Sequence, residues 1–115
     1  MTFDEYQEAA LQTAIYPGTA TDEGLLYSLT NLAAESGEAL SILSKAIRDD
    51  EFTDDHMLTS EKRKKLKAEI GDCLWQIAAV AFDIGYTLED IAQENLEKLN
   101  SRQKRGVLGG SGDER

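Results

Sequence analysis

One cysteine, one proline and one histidine stand in a chain of 115 residues. A single cysteine excludes an internal disulfide and fits a reducing cytosol. No apolar run approaches the roughly 20 residues of a membrane span, and the N-terminus lacks the basic and apolar regions of a secretory signal. The expectation is a cytoplasmic protein with no membrane partner. Positive charge is also scarce: 12 Lys and Arg face 22 Asp and Glu, a formal net charge of -10. That potential repels phosphodiester backbones and argues against a nucleic-acid polymer as partner. A phosphorylated small molecule would need metal cations to approach. With one histidine, a di-iron carboxylate bundle is excluded too, because it takes a Glu-x-x-His unit from each of two helices. His56 has no glutamate three residues before it.

What is present reads as a helical domain. Hydrophobic residues make up 41% and charged residues 30%, an ordinary globular balance, and the length suits one domain with its own core. β-Branched residues are few inside the patterned segments, which favours helix. Thr2 to about Ile15 forms the first helix, with Thr2 and Glu5 as a capping box and Tyr16-Pro17-Gly18 ending it. The second runs from about Glu23 to Arg48, with Leu25, Leu29, Leu32, Leu40, Leu43 and Ile47 as a core-facing stripe. Residues 49 to 60 form an acidic loop with room for a short helical turn. The third helix runs from about Glu61 to Gly85, with Leu66, Ile70, Cys73, Ile77, Ala81 and Ile84 as its stripe and Trp75 and Phe82 on the opposite side. A helix apolar on two sides is covered on both, so it is central or a second subunit meets it. Thr87 caps the fourth helix, which Gly106 stops; residues 1–105 are expected as the domain and 106–115 as a glycine-rich tail. The expected fold class is all-α, a four-helix bundle with no strand.

One stretch occurs twice. Asn31-Leu-Ala-Ala-Glu-Ser-Gly-Glu-Ala-Leu40 aligns without a gap on Lys65-Leu-Lys-Ala-Glu-Ile-Gly-Asp-Cys-Leu74, with Leu, Ala, Glu, Gly, an acid and Leu at matching places. Each copy sets two carboxylates three residues apart, Glu35 with Glu38 and Glu69 with Asp72, which makes them neighbours on one helix face. Polar rows extend both pairs, through Asn31 and Lys45 on the second helix and through Gln76 and Asp83 on the third. An antiparallel hairpin of the two copies would place the pairs opposite each other across helices about 8–10 Å apart. Four convergent acids repel one another unless cations lie between them. Oxygen-only ligands select hard ions, so Mg²⁺ is the natural choice, with Mn²⁺ also suitable. Such ions suit phosphoryl chemistry. Lys45, Lys98 and Arg102 are the cations whose helix faces allow them to hold outer phosphates. The bland alternative is a set of surface acids on amphipathic helices. The remaining candidates are weaker: Cys73 falls in the core stripe and has no histidine near it in sequence, the basic run Lys62 to Lys67 balances the preceding acids, and no strand precedes the tail glycines to make a phosphate loop.

These residues resemble the MazG-like, all-α nucleoside triphosphate pyrophosphohydrolases. Glu35-x-x-Glu38, a spacer and Glu69-x-x-Asp72 match that family's signature, in the contexts Ala-Glu-Ser-Gly-Glu and Glu-Ile-Gly-Asp-Cys-Leu-Trp. Asn95-x-x-Lys98-x-x-x-Arg102 is similar to its fourth helix. The tail Arg105-Gly-Val-Leu-Gly-Gly-Ser-Gly-Asp looks like that of small single-domain members, including bacteriophage ones. The resemblance implies a Mg²⁺-dependent hydrolase that cuts (deoxy)nucleoside triphosphates between the α- and β-phosphates, giving monophosphate and pyrophosphate. It implies Glu35, Glu38, Glu69 and Asp72 as metal ligands and catalytic acids. Lys45, Asn95, Lys98 and Arg102 become phosphate or sugar contacts, and Gln7 and Asn31 base or sugar contacts. It also implies a homodimer, or a tetramer of two dimers, whose neighbouring helices complete the site. Two other readings stay open: a non-catalytic helical metal-binding or interaction protein, and a narrower hydrolase for dUTP, dCTP or a phosphoribosyl nucleotide.

Overall fold

A computed structural model describes residues 1–115 as four helices: α1 (Phe3–Leu11), α2 (Asp22–Arg48), α3 (Ser60–Asp83) and α4 (Leu88–Lys104). Thr2 and Glu5 close the expected capping box, each side chain bonding the other's backbone N–H. The Thr59 and Thr87 hydroxyls accept from Lys62 N and Asp90 N to start α3 and α4. α1 ends at Leu11 rather than near Ile15. The next three amides bond three residues back instead of four, and both the Trp75 indole and the Thr13 hydroxyl take the Ala10 carbonyl.

The loop after α1 is fastened at two points. Gly18 has φ +77, and its carbonyl accepts from Gly24 N at 3.1 Å. A Cβ on Gly24 would meet that carbonyl oxygen at 2.3 Å, so only glycine lets α2 begin there. The second point is Asp83 at the end of α3. It is buried and accepts from Tyr16 Oη at 2.8 Å, Ser28 Oγ at 2.7 Å and Ala20 N at 2.8 Å. Tyr16 stacks on Tyr27 with ring centroids 4.8 Å apart and meets Trp75 edge-on. The segment between α2 and α3 makes no helical turn. It folds on an antiparallel bridge between Phe52 and Leu58, and Lys62 Nζ lies 3.2 Å from Glu51.

α2 and α3 form the predicted antiparallel hairpin: Ser28 bonds Asp83 near one end, and Ser36 and Cys73 approach to 4.0 Å midway. The residues that meet across it correct the expected core stripe. On α2 the seam positions Gly24, Ser28, Leu32, Glu35, Ala39, Ile42 and Ala46 are buried or half-buried and recur at steps of three and four; Leu25, Asn31 and Ser41 beside them are half-buried too. At about 100° per residue, Leu29, Leu40, Leu43 and Ile47 lie on the flank of that seam. They are exposed by 52%, 67%, 40% and 64%. Ile70 and Ile77 of α3 and Ile84 just after it are exposed in the same way. Periodicity found the apolar side of each helix, and Leu25, Leu32, Leu66, Cys73 and Ala81 of the two stripes are sheltered, but much of the side that meets its neighbour is lined by small and polar residues. The expected self-sufficient core is accordingly thin: Tyr16, Ala46, Ala78, Ala79, Ala81 and Leu88 are its buried hydrophobic members. α2 packs on α3 alone, while α1 and α4 pack on each other and on α3. No helix is long and apolar enough to cross a membrane.

Candidate functional site

The hairpin gathers the acids on the opposite edge of the seam from the leucines. Glu35, Glu69 and Asp72 each offer a carboxylate oxygen, and these oxygens lie within 4.8 Å of one another. Burial, then the charges of Glu38, Asp72 and Glu69, raise the Glu35 carboxyl above the usual carboxylate range. Burial, then the charges of Glu38 and Asp72, raise that of Glu69. Glu38 therefore faces the same cluster from one turn along α2. The duplicated spacing produces this: two rows on antiparallel rods run past each other, and the acid pairs coincide at the crossing.

The arrangement fits a hard divalent cation. Glu69 Oε2 is buried with no hydrogen-bond partner, and a buried carboxylate oxygen left unbonded is unfavourable unless something positive meets it. All the donors are oxygens, which suits Mg²⁺ or Mn²⁺ over softer metals.

The other sequence-selected residues are dispersed. Gln7 is buried, and its carboxamide donates to Ala78 O at 3.1 Å and Tyr86 O at 3.4 Å while accepting from Leu88 N at 3.0 Å. It ties α1 to α3 and α4 through these three bonds. Asp83, expected in the polar row of α3, holds the loop described above. Gln76 is buried with its Oε1 unbonded, and Asn31 is half-buried on the acid side of the seam. Lys45 is exposed two turns beyond Glu38. α4, which carries Asn95, Lys98 and Arg102, makes no packing contact with α2. Lys98 and Arg102 instead engage the tail: Asp113 Oδ1 lies 2.9 Å from Lys98 Nζ and 3.1 Å from Arg102 Nη2. Lys98 and then Arg102 hold the Asp113 carboxyl below its usual range.

Two neighbours received no role of their own from sequence. Tyr6 of α1 has its hydroxyl pushed up by burial and then by the charge of Asp72, which places it beside the acid edge; its only sequence signal was a place on α1's apolar side. Asp113 lies in a stretch with no periodicity, so spacing could not reveal it.

Comparison with known proteins bears on this geometry. Residues 25–107 match the family model of the MazG nucleotide pyrophosphohydrolase domain, a span that includes all four acids and the α4 cations. The chain is 43% identical over 118 residues to the Gene 37 protein of Mycobacterium phage L5, covering 100% of both chains. No solved structure matches it.

Proposed function

This chain belongs to the MazG nucleotide pyrophosphohydrolase family, and from that premise we propose that it hydrolyses (deoxy)nucleoside triphosphates to monophosphate and pyrophosphate with Mg²⁺. The observation that carries the reading is the convergence of Glu35, Glu69 and Asp72 oxygens within 4.8 Å. Glu35, Glu38, Glu69 and Asp72 would hold the cation, with Mn²⁺ as a substitute. When bound, such an ion neutralises polyphosphate charge and lowers the pKa of water. One of the four carboxylates orients the attacking water toward the α-phosphorus, and pyrophosphate leaves. Lys45, Asn95, Lys98 and Arg102 hold phosphate oxygens, with Asn31 toward the sugar or base. The test is a panel of dNTPs and NTPs incubated with Mg²⁺, with pyrophosphate release as the readout. Release from at least one nucleotide, abolished by EDTA, is expected. No release from any member would sink the reading.

The site is completed by a second copy of the chain. α2 carries its leucines on an unpartnered flank, and the α4 cations stand on a helix that does not touch α2 within one chain. An exposed apolar surface of this kind marks a protein interface. Light scattering should return at least twice the 12.7 kDa of one chain. Leu40→Asp with Leu43→Asp should return a single chain and lose turnover. A wild type that scatters as one chain at micromolar concentration would refute this.

A further inference from the structure

The last ten residues are organised, and one side chain organises them. The Arg115 guanidinium donates to the carbonyls of Val107 (3.2 Å), Leu108 (3.2 Å), Gly109 (3.0 Å) and Gly112 (2.6 Å). Its own carbonyl accepts from Arg105 at 2.8 Å. Gly110 and Gly112 take φ +89 and +90, turns that suit glycine and allow the chain to wrap that guanidinium. The knot returns Asp113 to α4, where both its main-chain carbonyl and its carboxylate accept from Arg102 Nη2. The same carboxylate oxygen accepts from Lys98 Nζ.

The burial is lopsided. The Arg102 side chain is 7% exposed and Asp113 is 79% exposed. A sheltered guanidinium needs a fixed anionic or carbonyl partner, and a free tail would not supply one. Lys98 and Arg102 stand four residues apart, on one face of α4. A single oxygen between them holds both head groups in register and leaves the pair one net positive charge, with the Lys98 side chain 39% exposed. A flexible lysine loses conformational freedom when it grips a phosphate, and prior fixing removes part of that loss.

We propose that Asp113 is a positioning residue: the knotted tail carries it back to α4 to fix Lys98 and Arg102 as a paired phosphate grip. The proposal rests on the reading of those two cations as phosphate contacts. The experiment measures kcat and KM with Mg²⁺ and the best nucleotide of the panel for the wild type, Asp113→Asn, Asp113→Ala, Asp113→Glu, Lys98→Ala and Arg102→Ala. Asp113→Ala and Asp113→Asn should raise KM about tenfold while kcat stays within about threefold, the pattern of lost ground-state binding. Asp113→Glu should recover most of that loss. A fall in thermal midpoint with unchanged KM in the Asp113 variants, while Lys98→Ala and Arg102→Ala raise KM, overturns the positioning role alone. A lower KM in Asp113→Ala overturns it as well, since the carboxylate would then compete with phosphate. Unchanged KM in Lys98→Ala and Arg102→Ala overturns the underlying phosphate reading together with this one.

Discussion

Asp72→Asn and Glu38→Gln each reduce pyrophosphate release by at least about 100-fold in kcat/KM, equivalent to about 2.7 kcal/mol of transition-state stabilisation, with helicity unchanged. Both substitutions keep the shape of the side chain and remove its charge. In the wild type, burial and like charge hold the Glu35 and Glu69 carboxyls above their usual range. A divalent ion relieves that repulsion and is in turn held by it. Fewer anions at the crossing weaken the hold, and metal-supported charge stabilisation in phosphoryl transfer amounts to several kcal/mol. The folded protein should report the same loss without catalysis: Mg²⁺ raises the wild-type thermal midpoint by mass action, and the increment shrinks in Asp72→Asn. Full turnover in both variants, or an undiminished Mg²⁺ shift, would remove these carboxylates from the site.

The second large effect is on stability. Asp83→Ala should destabilise the fold by about 3–5 kcal/mol, in the range for breaking a buried charged network by removing one partner. The carboxylate accepts from Tyr16, Ser28 and Ala20. Without it the Tyr16 hydroxyl and the Ala20 amide are left beside an apolar gap, and each unmet buried donor costs about 1–3 kcal/mol. Asp83→Asn should recover little, because its amide hydrogens would face the same donors. Urea denaturation at one fixed protein concentration is the measurement, since assembly would otherwise shift the midpoint. A loss below about 1 kcal/mol would show that the three bonds contribute little net stability.

Much of the fold could be read locally. Two helix starts follow from Thr2 and Thr87, whose hydroxyls each meet an amide three residues on; Thr59 does the same for α3, though it stood inside the expected loop. The meeting of Glu35, Glu69 and Asp72 follows from the repeat, because two similar rods running in opposite directions bring equivalent positions together. Partner choice was not legible. Leu29, Leu40, Leu43 and Ile47 share a period with any core stripe, and nothing in a period says whether the covering surface belongs to the same chain. Gln7 was legible in retrospect: it stands four residues after Phe3 and three before Ala10, on the apolar side of α1, where a polar side chain needs internal partners. Asp113 was not, since its role depends on a fold-back set by glycine turns and by the carbonyl shell of Arg115, which no helical spacing encodes.

The 2.3 Å separation between a hypothetical Gly24 Cβ and the Gly18 oxygen restricts how this molecule can vary. The backbone fixes where that Cβ would stand and the atoms it meets are main chain, so no rotamer change can make room. An alanine there would lever the whole 18–20 bend off the first turn of α2 and draw the Ala20 amide away from Asp83. A substitution as small as one methyl group would thus be felt at the far end of α3, where Asp83 ties the loop down.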